Sequence, residues 1–214
     1  MNLVWWSFFL PWAIYVLGMI TAKPLTRRLP ALAAWVKKLK TKNIGAGLQI
    51  IALPYPRRAL YIGIGNLMFG LSLTVSGLLL GLPPLILLFR NSLMTWGILG
   101  GGDVISITRH KYFRFLAVAE TVAFLLWASL GVQVGLSVLA LLASRSDILM
   151  QQKPLLAALP WLLLVMLTVL VLCALLEAHM IGTYRHKLIQ SFFQRPAGAA
   201  DGQEGPHTEK RLVS

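Results

Sequence analysis

The chain has 214 residues, of which 57% are hydrophobic and only 13% charged, with a mean hydropathy of +0.72. A soluble domain of this length cannot hide that much apolar surface, so lipid is the expected solvent for most of it. The formal charge of +13 does not point to nucleic acid, because the Lys and Arg residues cluster between apolar runs, as juxtamembrane charge does.

Residues 1–20, MNLVWWSFFLPWAIYVLGMI, lack the basic start and small-residue cleavage pattern of a signal peptide, and Trp5, Trp6 and Trp12 suit an interfacial anchor. A retained first span is therefore expected over 3–20. A helix needs roughly 20 apolar residues to cross a ~30 Å hydrocarbon core. Four further segments qualify, at 60–80, 84–102, 115–142 and 155–179. The second and third spans are separated only by GLPP (81–84), a tight turn that makes them a hairpin. The predicted fold is all-α, a polytopic bundle of about five spans. Its sections are the first span (1–20), a basic segment (21–59), the bundle (60–182), a juxtamembrane stretch (183–195) and a disordered polar tail (196–214).

Residues 21–59 carry nine Lys and Arg, the GLPP turn none, and 103–114 three, namely Arg109, Lys111 and Arg114. Between 143 and 154 there are two, Arg145 and Lys153, offset by Asp147, and the tail from 183 has five. Basic and near-neutral loops thus alternate, which predicts a cell-membrane protein with its N-terminus outside and its C-terminus cytoplasmic. Within the first basic segment, LPALAAWVKKLKTK sets Leu32, Trp35, Val36 and Leu39 on one helical face, with Lys37, Lys38, Lys40 and Lys42 mostly off it. That is a basic amphipathic helix suited to anionic headgroups, and YRHKLIQSFFQR repeats the design with Leu188, Ile189, Phe192 and Phe193. Plain topological charge explains both stretches equally well.

Small residues form seams. Gly63, Asn66, Gly70, Thr74, Gly77 and Gly81 recur every three or four positions, leaving one face of the second span almost without bulk. GxxxG pairs occur at Gly77/Gly81, Gly97/Gly101 and Gly131/Gly135. Lipid supplies no hydrophobic drive for helices to associate, so close backbone approach at such residues takes that role.

Intramembrane charge falls on these seams. At about 100° per residue, Arg90 lies within about 20° of Gly97 and Gly101, and Glu120 within about 20° of Trp127 and Gly131. Glu120 and Glu177 come about 9 and 12 Å inside the same predicted end of the membrane, whereas Arg90 lies about 9 Å from the other. The two acids are thus the expected neighbours, unless each bonds hydroxyls and cations separately. Carboxylates that meet at such depth do not both ionise. Polar glue between helices is favoured over a proton or ion relay, since no run of polar residues accompanies the acids. For Arg90, snorkelling to the outer headgroups is slightly favoured.

Nothing in the sequence arranges a nucleophile with a base: H-E-x-x-H, G-x-S-x-G and Walker motifs are absent. The single cysteine, Cys173, sits in an apolar run and makes no metal-type spacing with the histidines. The chain is expected to be non-enzymatic, with no cofactor and no metal.

Three stretches together resemble the stage II sporulation protein M family: GNLMFGLSLTVSGLLLGLPPLILLFRNSLMTWGILG, AETVAFLLWASLGVQVG and LLEAHMIGTY. The matching positions are Asn91, Glu120, Ala123, Gly131, Gly135, Glu177 and Ala178, within residues 60–182. Leu116 and Ala117 stand where that family has a His-Gly pair, and Ser92 where it has a glycine. The resemblance implies an integral membrane scaffold whose partners are other membrane proteins, a cell-wall hydrolase complex or a second copy. The alternative is a transporter, permease subunit or channel working through Glu120 and Glu177.

Overall fold

A computed structural model describes residues 3–99 and 111–186. The GGGD stretch (100–103), the basic loop after it, and the chain from residue 187, with most of the second amphipathic stretch and the whole tail, lie outside the described residues. Every regular element among the described residues is helical: α1 Leu3–Arg28, α2 Pro30–Ala52, α3 Tyr55–Val75, α4 Leu82–Leu99, α5 Lys111–Leu142 and α6 Ser146–Thr183. A short 3-10 turn, Ser76–Leu78, extends α3. Among the described residues four stretches are long and apolar enough to cross a membrane: Trp5–Arg28, Tyr55–Leu78, Phe115–Leu142 and Ser146–Thr183.

Two helices outrun the apolar segments that announce them. α1 continues past residue 20 to Arg28. Thr21 and Thr26 donate their hydroxyls back to the carbonyls of Leu17 (2.7 Å) and Ala22 (2.9 Å), which satisfies both side chains inside the helix. α6 starts at Ser146, in what hydropathy reads as loop, and runs for 38 residues. Asp147 stands in its first turn and receives both Arg145 Nε (2.8 Å) and an Arg145 terminal nitrogen (2.7 Å), a favourable place for a carboxylate. At 1.5 Å per residue α6 is roughly 57 Å long, nearly twice the hydrocarbon thickness. A bilayer would hold it only tilted or protruding. The amphipathic stretch at 29–42 is part of α2, which continues ten residues further, to Ala52.

Prolines and left-handed residues punctuate the chain. Pro30 begins α2 and Pro56 falls in the first turn of α3, where a missing N–H costs nothing. Leu80 (φ 60°) and Gly81 (φ 75°) turn the chain from α3 into α4, and the Gly81 N–H reaches the Gly77 carbonyl at 2.8 Å. α5 ends in a Schellman motif at Ser144 (φ 54°): Arg145 N–H bonds the Ala140 carbonyl (2.8 Å) and Ser144 N–H the Leu141 carbonyl (3.2 Å).

α5 is the central helix. In its most apolar window 56% of residues are buried, against 22%, 17% and 22% in the other three candidate spans. Its Ala123, Leu125, Trp127, Ala128 and Leu130 form the core with Tyr15 of α1, Leu73 of α3, Leu88 of α4, and Met166 and Leu170 of α6. Outward faces stay apolar, with Ile20, Leu60, Met68, Val75, Trp161 and Leu172 all exposed, as lipid contact requires.

The α3–α5 contact is made by glycine on glycine. A Cβ on Gly77 would collide with the Gly131 carbonyl, one on Gly131 with the Leu73 carbonyl, and one on Gly135 with the Gly81 backbone. Gly77 of the 3-10 turn and Gly81 of the hairpin therefore pack on the GxxxG pair of α5 within one molecule. Gly131→Ala is expected to lower the thermal midpoint in detergent, by about 1–3 kcal/mol of stability, because backbone on both helices has to move. Gly65→Ala, where an added Cβ meets nothing within 4 Å, is the matched control and should leave the midpoint unchanged or raise it.

Candidate functional site

The small-residue face of α3 governs what the intramembrane acids touch. Gly63 faces Ala174 of α6, with 3.5 Å between its Cβ position and the alanine methyl. One turn on, Asn66 Nδ2 donates to Glu120 Oε1 at 2.7 Å. Gly70 lies flat against the Trp127 indole, whose ring atoms come within 3.0 Å of a Cβ position there. Thr74 Oγ1 then donates to the Trp127 carbonyl at 3.0 Å. Each polar residue of the stripe crosses to α5, and each glycine admits a neighbour.

Glu120 and Glu177 are close enough for their charges to interact, and Cys173, one turn before Glu177, lies in the field of both. The hydrogen-bond partner of Glu120 is nonetheless the Asn66 amide. An amide facing a carboxylate in lipid satisfies one oxygen and ties two helices, which is what register-fixing glue does.

Arg90 and Asn91 lie apart from this cluster. The buried side of α4 runs through Pro84, Leu88 and Ser92, toward α1, where Ser92 Oγ donates to the Tyr15 carbonyl at 2.7 Å. Gly18 permits that approach, since a Cβ on it would lie 2.8 Å from the Ser92 Cβ. Asn91 is half-buried, while Arg90 is exposed, with its guanidinium carbon 5.7 Å from the centroid of the Trp35 ring on α2. The structure therefore gives Arg90 a cation–π contact with α2 and leaves it exposed, rather than turning it into a glycine seam. Lys38 is exposed; the side chains of Lys37, Lys40, Lys42 and Gly97's surroundings, and all of Gly101, lie outside the described residues.

Two polar constellations escape a linear reading. Arg58 looks like ordinary loop charge beside Arg57, yet it is only 5% exposed. Its Nε donates to the Ile50 carbonyl (3.2 Å), and its terminal nitrogens to those of Ile51 (3.1 Å), Leu53 (2.6 Å) and Ala178 (2.9 Å). Those first three carbonyls belong to the end of α2, where a cation answers both the orphan acceptors and the helix dipole. Gly182 leaves room for the fork, its Cβ position being 2.9 Å from the guanidinium. The second constellation joins α1, α5 and α6: Gln133 Nε2 donates to Ser7 Oγ (2.9 Å), Gln152 Nε2 to the Gln133 side-chain oxygen (3.1 Å), and Ser137 Oγ to Gln152 Oε1 (2.6 Å). Nearby, Ser129 Oγ donates to the Phe8 carbonyl at 2.7 Å. The spacing of Ser129, Gln133 and Ser137 at every fourth residue was the available signal.

These contacts sort the helix ends into two groups. The start of α1, the α3–α4 hairpin and the end of α5 share one end through Ser7, Phe8, Gly81, Gln133 and Gly135. The end of α2, the start of α3 and the end of α6 share the other through Arg58 and Ala178. Among the described residues no group of three His, Cys, Asp or Glu is placed to hold a metal ion. No family, no curated protein and no solved structure matches the chain.

Glu120→Gln keeps an oxygen for Asn66 and should leave thermal stability nearly unchanged. Glu120→Leu strands the amide and is expected to cost about 0.6–1.7 kcal/mol, read as a lower midpoint in detergent. Arg58→Met removes four donors from buried carbonyls and should cost about 2–3 kcal/mol. Its signature is faster amide hydrogen exchange in the last turns of α2, and Arg58→Lys should not restore protection, because an ammonium has three N–H for the four carbonyls and lacks the planar fork that spreads them.

Proposed function

We propose that the chain is a multi-pass cell-membrane protein with a non-enzymatic role, a scaffold whose exposed helical faces recruit other membrane proteins. The observation that carries this reading is where the polar side chains of the apolar helices go. Asn66, Thr74, Ser92, Ser129, Gln133 and Gln152 each bond across to another helix. They act as fasteners between helices, and such a distribution suits a rigid platform better than a polar path. The resemblance to the stage II sporulation protein M family, carried by Asn91, Glu120, Gly131, Gly135 and Glu177, implies the same kind of role, with a cell-wall hydrolase complex or a second copy as partner.

In this proposal α4 is the fifth span. Helix ends grouped by contact match the alternation of basic and near-neutral loops, which supports an outer N-terminus and a cytoplasmic C-terminus. Single cysteines introduced at position 80 and at position 54, in a Cys173→Ser background, test this. A membrane-impermeant maleimide added to intact cells should label the first and spare the second; the reverse pattern overturns the orientation.

The proximity of Glu120 and Glu177 favours a second reading, proton or cation movement through the bundle. Reconstituted protein carrying Glu120→Gln and Glu177→Gln distinguishes the two. The scaffold reading expects the double variant and the parent to show the same baseline proton and cation leak in dye-loaded vesicles. A flux present in the parent and lost in a variant that still folds would establish transport instead.

A further inference from the structure

Where α5 begins and α6 finishes, the bundle surface carries a groove of about 290 Å³ between Phe115, Leu116, Leu176, His179, Met180 and Thr183. Its volume is at the small end of the roughly 300–1,000 Å³ of ligand clefts. Leu116 is its floor, 4% exposed, while Phe115 and Leu176 are 69% and 49% exposed and form walls open to the outside of the bundle. Thr183 Oγ1 donates to the His179 carbonyl at 3.1 Å, which sets both residues on the last turn of α6, at the polar edge of the slot.

The groove is apolar along its length, and cations stand next in sequence to its lining residues at both helix ends. Exposed Arg185 and His186 follow directly on α6, and in the sequence Lys111 and Arg114 stand just ahead of Phe115. Among the described residues no carboxylate lines the groove. A free anion would leave the apolar walls unused, and a neutral apolar molecule would leave the cations unanswered. A phospholipid answers both, with an acyl chain along the walls and a phosphate at the rim.

We propose that this groove is a binding site for an anionic phospholipid of the adjoining leaflet, seated by one acyl chain against Phe115, Leu116, Leu176 and Met180 and held at its phosphate by Arg185, two residues past Thr183 at the rim. The site rests on the reading of the chain as membrane-spanning, and it would make lipid charge a determinant of how the end of α6 is anchored.

Native mass spectrometry of the purified full chain in detergent tests it, by titration with phosphatidylglycerol and phosphatidylcholine of identical acyl chains. Phosphatidylglycerol should bind about fivefold more tightly, as one cation near a phosphate warrants. Arg185→Gln should weaken that preference severalfold, and Thr183→Trp, which fills the slot from its exposed edge, should reduce phosphatidylglycerol binding itself. Both positions are exposed, and an unchanged thermal midpoint verifies that each variant folds. Equal binding of the two lipids by the parent, phosphatidylglycerol binding unaffected by either substitution, or displacement of the lipid by millimolar inorganic phosphate would overturn the site. Resistance of the chain to alkaline carbonate extraction from cell membranes reports the spanning reading separately, so failure of the groove and failure of that reading give different results.

Discussion

The packing of the turn that closes α3 on α5, at Gly77–Gly131 and Gly81–Gly135, sets the distance on which the rest of the bundle depends. Lipid tails are as apolar as leucine, so burying a leucine between two helices gains little over leaving it in the bilayer. Association has to come from dispersion at short range and from hydrogen bonds that need heavy atoms about 3 Å apart. Glycine on both helices satisfies the first requirement and brings the second within reach. Asn66 and Thr74 are short side chains, and they meet Glu120 and the Trp127 carbonyl because the backbones have already closed.

The two ends of the bundle are secured differently. At the hairpin end, Gln133 and Gln152 interlock with Ser7 and Ser137, so that α1, α5 and α6 share one satisfied polar network. Such a network penalises sliding, because a shift by one turn would leave buried amides unpaired. At the other end a single guanidinium does the joining. Arg58 gathers the last carbonyls of α2 and one carbonyl of α6, fixing α2 to the end of the bundle without any acidic partner among the described residues.

Seen in this framework, Glu120 belongs to the same set of fasteners. It lies on the glycine face of the central helix, bonded to an amide from α3 and within the field of Glu177 from α6, at the junction of the three helices. The groove between α5 and α6 lies nearer the end of the bundle, on the outside, and uses different residues.

Composition and periodicity by themselves determined that this is a helical chain suited to lipid, which face of α3 is small, and that the hairpin turns at Gly81. These follow from local properties: apolar length, 3.6-residue spacing and the tolerance of glycine for a left-handed turn. The sequence did not determine where helices stop, because hydropathy measures affinity for lipid whereas a helix continues for as long as its backbone bonds are met. α6 accordingly starts at Ser146, and α1 runs to Arg28. Nor could it tell Arg58 from Arg57, or give Gln133 and Gln152 their roles, since the partners of these side chains are carbonyls and amides brought together from distant parts of the chain. Only the tertiary structure decided that Glu120 bonds Asn66 and that Arg90 turns to Trp35. A hydrogen bond or a cation–π contact is settled by the separation and rotation of two helices, and neither quantity is written in the residues of one.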